Sequence, residues 1–394
     1  MPLAFSSSIY STSSGSNTKF SLPAAKMPQK TQIASHDSRS STFTNENKSK
    51  LNNEETPQLT LGVLADIQHA PIPDGTSFSG TPRYYQHALE VAGKAAQRFE
   101  ESKVDMVLNL GDIIDGKCAL TTDDAVINGD VSENNVGKSA IKNVISALDA
   151  YKHGPIIHTY GNHELYNLSR DEIGKLLGIP FVQETKADLV GYRSIVKNKI
   201  RFVILDTYDI AMMGRCPDTS EKRKEAERIL AKNNPNYPEN ENSPENLVGL
   251  EKRFVAFNGG IGETQLSWLK STLQEAKKEE EKVIILSHQP IHPLSSAAVC
   301  LIWNYEEVLD ILRQSKDIVI ASFSGHAHRG GYHRDEDSGI HFRVFEAVLE
   351  SPDPINTFAF VDIFKSELHV RGEGRCESAC YDFAHLACAK AIEE

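Results

Sequence analysis

The sequence predicts an α/β fold, a layered sandwich of two mixed β-sheets packed on each other, with helices on their outer faces and a reactive edge where strands end. Three observations lead there. Five short apolar runs each stop at a cluster of Asp, Asn, Gly or His; amphipathic helical stretches lie between them; and two further apolar runs supply strands for a second sheet. Strands that feed loops at one edge gather residues distant in sequence into a crevice at their carboxyl ends.

The elements follow in chain order. Leu59–Ala65 is an apolar run that halts at Asp66, as a buried strand does. Tyr84–Glu101 carries apolar residues at helical spacing, and Val104–Leu110 is the next strand, ending at Gly111 and Asp112. Val136–Tyr151 reads as a helix, and Ile156–Tyr160 as a strand leading into Gly161. Ile200–Leu205 is a strand of the second sheet. An Asn-, Pro- and Glu-rich stretch at 233–246 interrupts the pattern and reads as an irregular insertion, either a solvated loop or a flap over the substrate entrance. The helix Glu263–Glu279 precedes the strand Val283–Leu286, which feeds Ser287 and His288. Tyr305–Gln314 is helical, Ile318–Phe323 runs into Gly325–His328, and Ile340–Ala347 reads as a further strand.

Composition bounds what this fold does. At 394 residues with 40% hydrophobic residues, the chain can close one large catalytic domain, expected over 56–394. Residues 1–50 differ in kind: they hold eighteen Ser or Thr, six Lys or Arg and two acids, Asp37 and Glu46. Too little apolar surface is present there to offset the entropy of ordering, so residues 1–55 are expected to be a disordered tail or a transit peptide. The first reading leaves the protein cytoplasmic and the second sends it to a chloroplast or another organelle; a reporter fused to residues 1–50 separates them. No apolar run reaches the roughly 18 residues of a spanning helix, so an intracellular, soluble protein without a membrane partner is expected. The net charge of −12 argues against nucleic acid as a partner. The six cysteines form no regular framework, which suits a reducing compartment; Cys376, Cys380 and Cys388 offer zinc ligands in principle, but their spacing reads first as helical spacing in a terminal segment.

The clusters at the strand ends carry the chemistry. Asp66, Gln68, Asp112, Asn162, His288, His326 and His328 are all hard or borderline metal donors. Two divalent ions held about 3.5–4 Å apart need a bridging carboxylate, and Asp112, beside Gly111, is the candidate. Asp66 and Gln68 stand two apart and can turn toward one ion. Any single His is more often a satisfied core or surface residue than a ligand; seven candidates at five strand ends are a different matter.

The order Asp-x-Gln, Gly-Asp-x-x-Asp, Gly-Asn-His-Glu, His, Gly-His-x-His resembles the calcineurin-like metallophosphoesterase superfamily. Within it the chain is similar to the manganese-dependent ADP-ribose/CDP-alcohol diphosphatases from about Leu61 to Gly374, on Gly80–Tyr85, Leu110–Gly116, Gly161–Asn167, Phe257–Gly260, Cys300–Tyr305 and Gly325–Tyr332. The resemblance implies that Asp66, Gln68, Asp112 and His328 hold one metal, and that Asp112, Asn162, His288 and His326 hold the other. It implies that His163 contacts the phosphate and protonates the leaving oxygen, and that Asp115 orients it. A carboxylate beside an imidazole is expected to raise its pKa and fix its tautomer.

Two departures from the superfamily pattern sharpen this. Gln68 stands where many members have His, and an amide oxygen, harder than imidazole, tilts the site away from zinc or iron and toward manganese or magnesium; Mn2+ is the favoured ion, with Mg2+ or Zn2+ as the alternatives. Asp115 stands where iron-binding members have Tyr, which disfavours a redox iron centre. Two such ions attract a diphosphate despite the acidic surface. Arg83 and Arg329 are candidates for its oxygens, and Phe78 and Cys300 for the wall of a nucleoside pocket. The expected reaction cleaves ADP-ribose to AMP and ribose 5-phosphate, or CDP-choline and CDP-glycerol to CMP and a phosphoalcohol. The alternatives are a cyclic nucleotide phosphodiesterase or phosphomonoesterase on the same site, or a metal-bound scaffold without catalysis.

Overall fold

The computed structural model describes residues 56–77, 79–122, 136–215 and 218–383. The Ser/Thr-rich tail, Phe78 and Cys388 lie outside the described residues. In chain order the strands of the two large sheets are β1 (Leu59–Leu64), β2 (Met106–Asn109), β3 (Ile156–His158), β4 (Arg193–Lys197), β5 (Ile200–Ile204), β6 (Lys282–Leu286), β7 (Val319–Ser324), β8 (Gly331–Arg334), β9 (His341–Val344), β10 (Phe358–Ile363), β11 (Glu367–Glu373) and β12 (Ala379–Asp382). The helices are α1 (Tyr85–Glu101), α2 (Val136–Leu148), α3 (Asn162–Asn167), α4 (Arg170–Leu177), α5 (Glu221–Asn233), α6 (Glu263–Lys278) and α7 (Tyr305–Gln314).

The first sheet has the order β12-β11-β10-β1-β2-β3 and the second β8-β9-β7-β6-β5-β4. Both are mixed. β1, β2 and β3 run parallel while β10 joins β1 antiparallel, with Leu59 opposite Ile363. In the second sheet β9, β7, β6 and β5 are parallel, and β8 and β4 close the edges antiparallel.

Alternation along the strands sorts their side chains into layers. Leu59, Leu61 and Val63 of β1 and Leu108 of β2 meet Phe202, Ile284 and Phe323 of the second sheet, forming the central core. The other face of the first sheet, with Leu64 and Val107, packs on Val91, Ala95 and Phe99 of α1 and Ile141 and Val144 of α2. Val203, Val283 and Ile285 pack on Leu269 of α6 and Val308 and Leu312 of α7. Each fully buried Val, Leu, Ile or Phe among them contributes about 1.5–3 kcal/mol. Space at Gly62 sets the depth of α1: a Cβ there would lie 2.8 Å from the Phe99 ring, which also meets Phe358 and Phe360 of β10 edge-on.

Several expectations change. Helix α2 stops at Leu148 rather than Tyr151, where the chain turns and the Tyr151 hydroxyl donates to the Val104 carbonyl. Asn233 belongs to α5, whose sequence has no apolar stripe because only Ala226 and Leu230 are buried. The rest of the expected insertion is irregular but pinned: the Asn236 side-chain amide donates to the carbonyls of Ser243 and Glu245 at 3.0 and 2.7 Å. The segment with Cys376 and Cys380 is not helical. Cys380 lies in β12, where Tyr381 stacks on Tyr332 and His341 with centroids 4.8 and 5.0 Å apart. Among the described residues no helix is long and apolar enough to cross a membrane.

Candidate metal centre

Five strands deliver the candidate ligands. β1 runs out into Asp66 and Gln68, β2 into Asp112, β3 into Gly161 and Asn162 at the start of α3, β6 into His288, and β7 into His326 and His328. Asp66, Gln68, Asp112 and His326 have left-handed backbones, with φ of 51, 44, 53 and 65°. Such conformations cost on the order of 1–3 kcal/mol each and persist only where their surroundings impose them. Here the Asp66 and Gln68 amides donate to the carbonyls of Gly111 and Asp112, at 3.1 and 2.8 Å. The Asp66 carboxylate accepts the His326 amide on both oxygens at 3.0 Å. Gly161 is required by space, since a Cβ there would lie 2.1 Å from Asp112 Oδ1 and 2.5 Å from His288 Nε2.

Hydrogen bonds behind the imidazoles decide which nitrogens face inward. His288 Nδ1 donates to the Leu110 carbonyl at 2.8 Å, leaving Nε2 inward. His328 Nδ1 donates to Glu350 Oε1 at 2.9 Å, again leaving Nε2. His326 is turned the other way: its Nε2 donates to Asn258 Oδ1 at 2.9 Å and Nδ1 faces His288. Asn258 is fixed in that role because its own NH2 donates to the carbonyls of Arg253 and Val299.

Two donor triads result, Asp66, Asp112 and His328 on one side and Asp112, His288 and His326 on the other, with Asp112 common to both. Asp112 Oδ2 is 3.2 Å from His288 Nε2 and 3.1 Å from Gln68 Nε2, which in turn is 3.0 Å from His328 Nε2. His288 Nε2 and His326 Nδ1 are 3.1 Å apart. Octahedral ions with bonds of about 2.1 Å space their donors by roughly 3.0 Å, so this set fits a pair of divalent cations. Gln68 adds a second sign. Its buried Oε1 has no partner, and a half-turn of the amide brings that oxygen to the point where Nε2 now meets the other donors. Asn162 is buried beside this cluster, and its Oδ1 accepts the Tyr208 hydroxyl at 3.1 Å.

The electrostatics are those of a site built around positive charge. Burial pushes the Asp66 carboxyl up to about 6. Burial also acts to lower His288, but Asp112 beside it prevails and lifts the imidazole to about 9. Burial and neighbouring His288 hold His326 well below its ordinary value. Divalent cations remove these conflicts together.

Carboxylates further out hold the ligands in place. Glu164 accepts the amides of Asp112, Ile113, Ile114 and Gly161 at 2.6–3.1 Å, tying the turn after β2 to the start of α3. Glu350, anchored by Arg375 at 3.3 Å, orients His328. Replacing Glu350 by Gln removes the charge that makes His328 a stronger donor. Mn2+ affinity is expected to fall about 10–100-fold, read by calorimetric titration; unchanged affinity would refute the assignment.

His163 and Asp115 lie at the rim. The Gly116 amide donates to His163 Nδ1 at 2.6 Å, which leaves the proton on Nε2, 3.8 Å from Asp112 Oδ2. Asp115 therefore does not orient His163 by a direct hydrogen bond: it is 3.7 Å from Nδ1 and instead holds Arg83 at 3.1 Å. The expected rise in the His163 pKa is also reversed, because burial lowers it by more than Asp112 and Asp115 raise it. Arg83 Nε is buried without a partner, so its guanidinium retains an unused donor. Cys300 is partly buried, and burial, helped by the Asp66 carboxylate, raises its thiol pKa. Arg329 is exposed and makes no ion pair among the described residues. Phe257, which was not singled out as a site residue, stands with its ring 5.8 Å from His326 and part of its face open. Tyr166 meets His163 edge-on at 5.8 Å, and Glu241 of the insertion lies close enough to act on Tyr166.

Comparison with known proteins agrees with this geometry. The family model described as calcineurin-like phosphoesterase matches residues 59–330. A relative from Oryza sativa subsp. japonica, named manganese-dependent ADP-ribose/CDP-alcohol diphosphatase, is 38% identical over 320 residues, 81% of this chain and 92% of its own. One from Homo sapiens with the same name is 35% identical, covering 80% of this chain and 90% of its own. A crystal structure of a dimetal phosphatase from Danio rerio superposes with a TM-score of 0.73 at 32% identity, covering 83% of this chain and 99% of that one.

Proposed function

Because the chain belongs to the calcineurin-like phosphoesterase family, we propose that it hydrolyses the P–O–P bond of nucleoside diphosphate derivatives, ADP-ribose and CDP-alcohols, with two Mn2+ ions. The observation that carries this reading is the pair of donor triads sharing Asp112. The names borne by the relatives support the substrate class and the metal. Asp66, Gln68, Asp112 and His328 would hold one ion, and Asp112, Asn162, His288 and His326 the other. Bound there, the pair supplies Lewis acidity and an activated water.

The side chains around the ions do the rest. Arg83, steadied by Asp115, keeps part of its guanidinium exposed and presents it to a diphosphate oxygen. His163 offers Nε2–H toward the departing phosphate while its Nδ1 is engaged by the Gly116 amide. A phosphate monoester leaves readily as an anion, its second pKa being about 6, so hydrogen-bond donation suffices and full proton transfer is not required. Phe257 and Cys300 present the surface on which a base would lie. We place this activity in the unit 56–394.

The test is a side-by-side assay with Mn2+ of ADP-ribose, CDP-choline, a cyclic nucleotide and an aryl phosphate. The two diphosphates are expected to exceed the others in kcat/KM by about tenfold or more, equivalent to ~1.4 kcal/mol of nucleoside and diphosphate contacts. Turnover confined to the cyclic nucleotide or the aryl phosphate would overturn the proposal, and no turnover at all would favour a binding role.

A further inference from the structure

The edge of the first sheet carries a cluster of donors that the dinuclear centre does not use. β11 and β12 pair antiparallel with His369 opposite Cys380 and Glu367 opposite Asp382, which sets these four side chains on one face of the sheet. Glu367 Oε2 lies 3.3 Å from His369 Nε2 and 3.5 Å from Cys380 Sγ. The three donor atoms all fall within 4.8 Å of one another. A tetrahedral zinc ion, with bonds of about 2.0–2.1 Å to N and O and 2.3 Å to S, spaces its donors by roughly 3.3–3.6 Å. His369 Nε2 is shut off from solvent yet has no hydrogen-bond partner, and Phe364 packs on its ring at 4.8 Å. Cys380 is an exposed free thiol, so an ion has a way in.

We propose that Glu367, His369 and Cys380 form a mononuclear zinc site on this sheet edge, sharing no residue with the dinuclear centre and leaving the fourth position to water. Partial covering of the sulfur and the carboxylates of Glu367 and Asp382 push the Cys380 thiol up to about 11. Binding releases the thiol proton to solvent as the Zn–S bond forms. The thiolate is a soft donor, so the site selects zinc over manganese and the two centres load independently. Once loaded, the ion cross-links β12, the edge strand, to β11.

The probe is Co2+ added to the Mn2+-loaded full chain, since the oxygen and nitrogen donors assigned to the dinuclear centre cannot produce thiolate-to-cobalt charge-transfer absorption. The band is expected to saturate at one equivalent and to vanish when one equivalent of Zn2+ is added. It should be absent in Cys380→Ser and require about tenfold more Co2+ in His369→Gln. Mn2+-dependent turnover should stay unchanged in both variants. No band in the parent protein, or a band undiminished in Cys380→Ser, would overturn the proposal, the latter by placing the sulfur elsewhere, as at Cys300.

Discussion

Replacing Arg170 by Met is expected to lower the free energy of unfolding by about 3–5 kcal/mol, because it strands a buried carboxylate. Arg170 is buried on α4 and donates to Asp206 at 2.6 Å, to the Tyr160 hydroxyl at 2.5 Å and to the Tyr208 carbonyl at 2.5 Å. Those partners lead straight to the centre: Tyr160 precedes Gly161, and the Tyr208 hydroxyl donates to Asn162. Asp206 also accepts the amides of Gly191 and Tyr208, so its charge cannot move away when the guanidinium is lost. Urea unfolding with EDTA present measures the effect without contribution from bound metal. A loss under about 1 kcal/mol, the range of an exposed pair, would show that the network is relaxed by other groups.

The second large effect falls on catalysis. His163→Ala is expected to reduce kcat for ADP-ribose by about 10²–10³-fold, the usual cost of deleting one donor aimed at developing charge. Metal content should stay at two ions per chain, because His163 is in neither donor triad. His163→Gln separates two roles. Its amide can replace a hydrogen bond but cannot carry a proton, so partial recovery of kcat supports the donor role that the Gly116 contact dictates. A Gln variant as slow as the Ala variant would point to proton transfer, and unchanged turnover in both would remove His163 from the mechanism.

The metal centre was legible in the sequence because three of its clusters set a ligand beside a glycine, and each of those glycines leaves room for a ligand arriving from another strand. Gly111 with Asp112, Gly161 with Asn162 and Gly325 with His326 read locally, and the strands before them fix where they meet. What supports the ligands was less legible. Glu350 closes a short 3-10 turn at Val348–Glu350, and nothing near it in sequence marks it as the partner of His328. The tautomer of His163 is set by a backbone amide, and any residue at position 116 other than Pro would supply one. Asp115 stands 3.7 Å from His163 Nδ1, but its carboxylate turns to Arg83, a choice made by side-chain packing from a separate hairpin. The helical reading of the Cys376–Cys380 spacing failed because a four-residue interval is compatible with a turn entering a strand, and the aromatic stack on Tyr381 decided for the strand.

The first sheet also has a consequence for biosynthesis. β1 lies between β2 and β10, and its pairing of Leu59 with Ile363 spans most of the folded chain. One hydrogen-bonding edge of β1, along with its apolar Leu59, Leu61 and Val63, is completed only after β10 has emerged from the ribosome. At about 5–20 residues per second, the roughly 300 intervening residues take on the order of 15–60 s to synthesise. Over that interval the strand that will deliver Asp66 presents a bare edge to other chains, so the protein depends during synthesis on whatever shields that edge until its own carboxyl-terminal strands arrive.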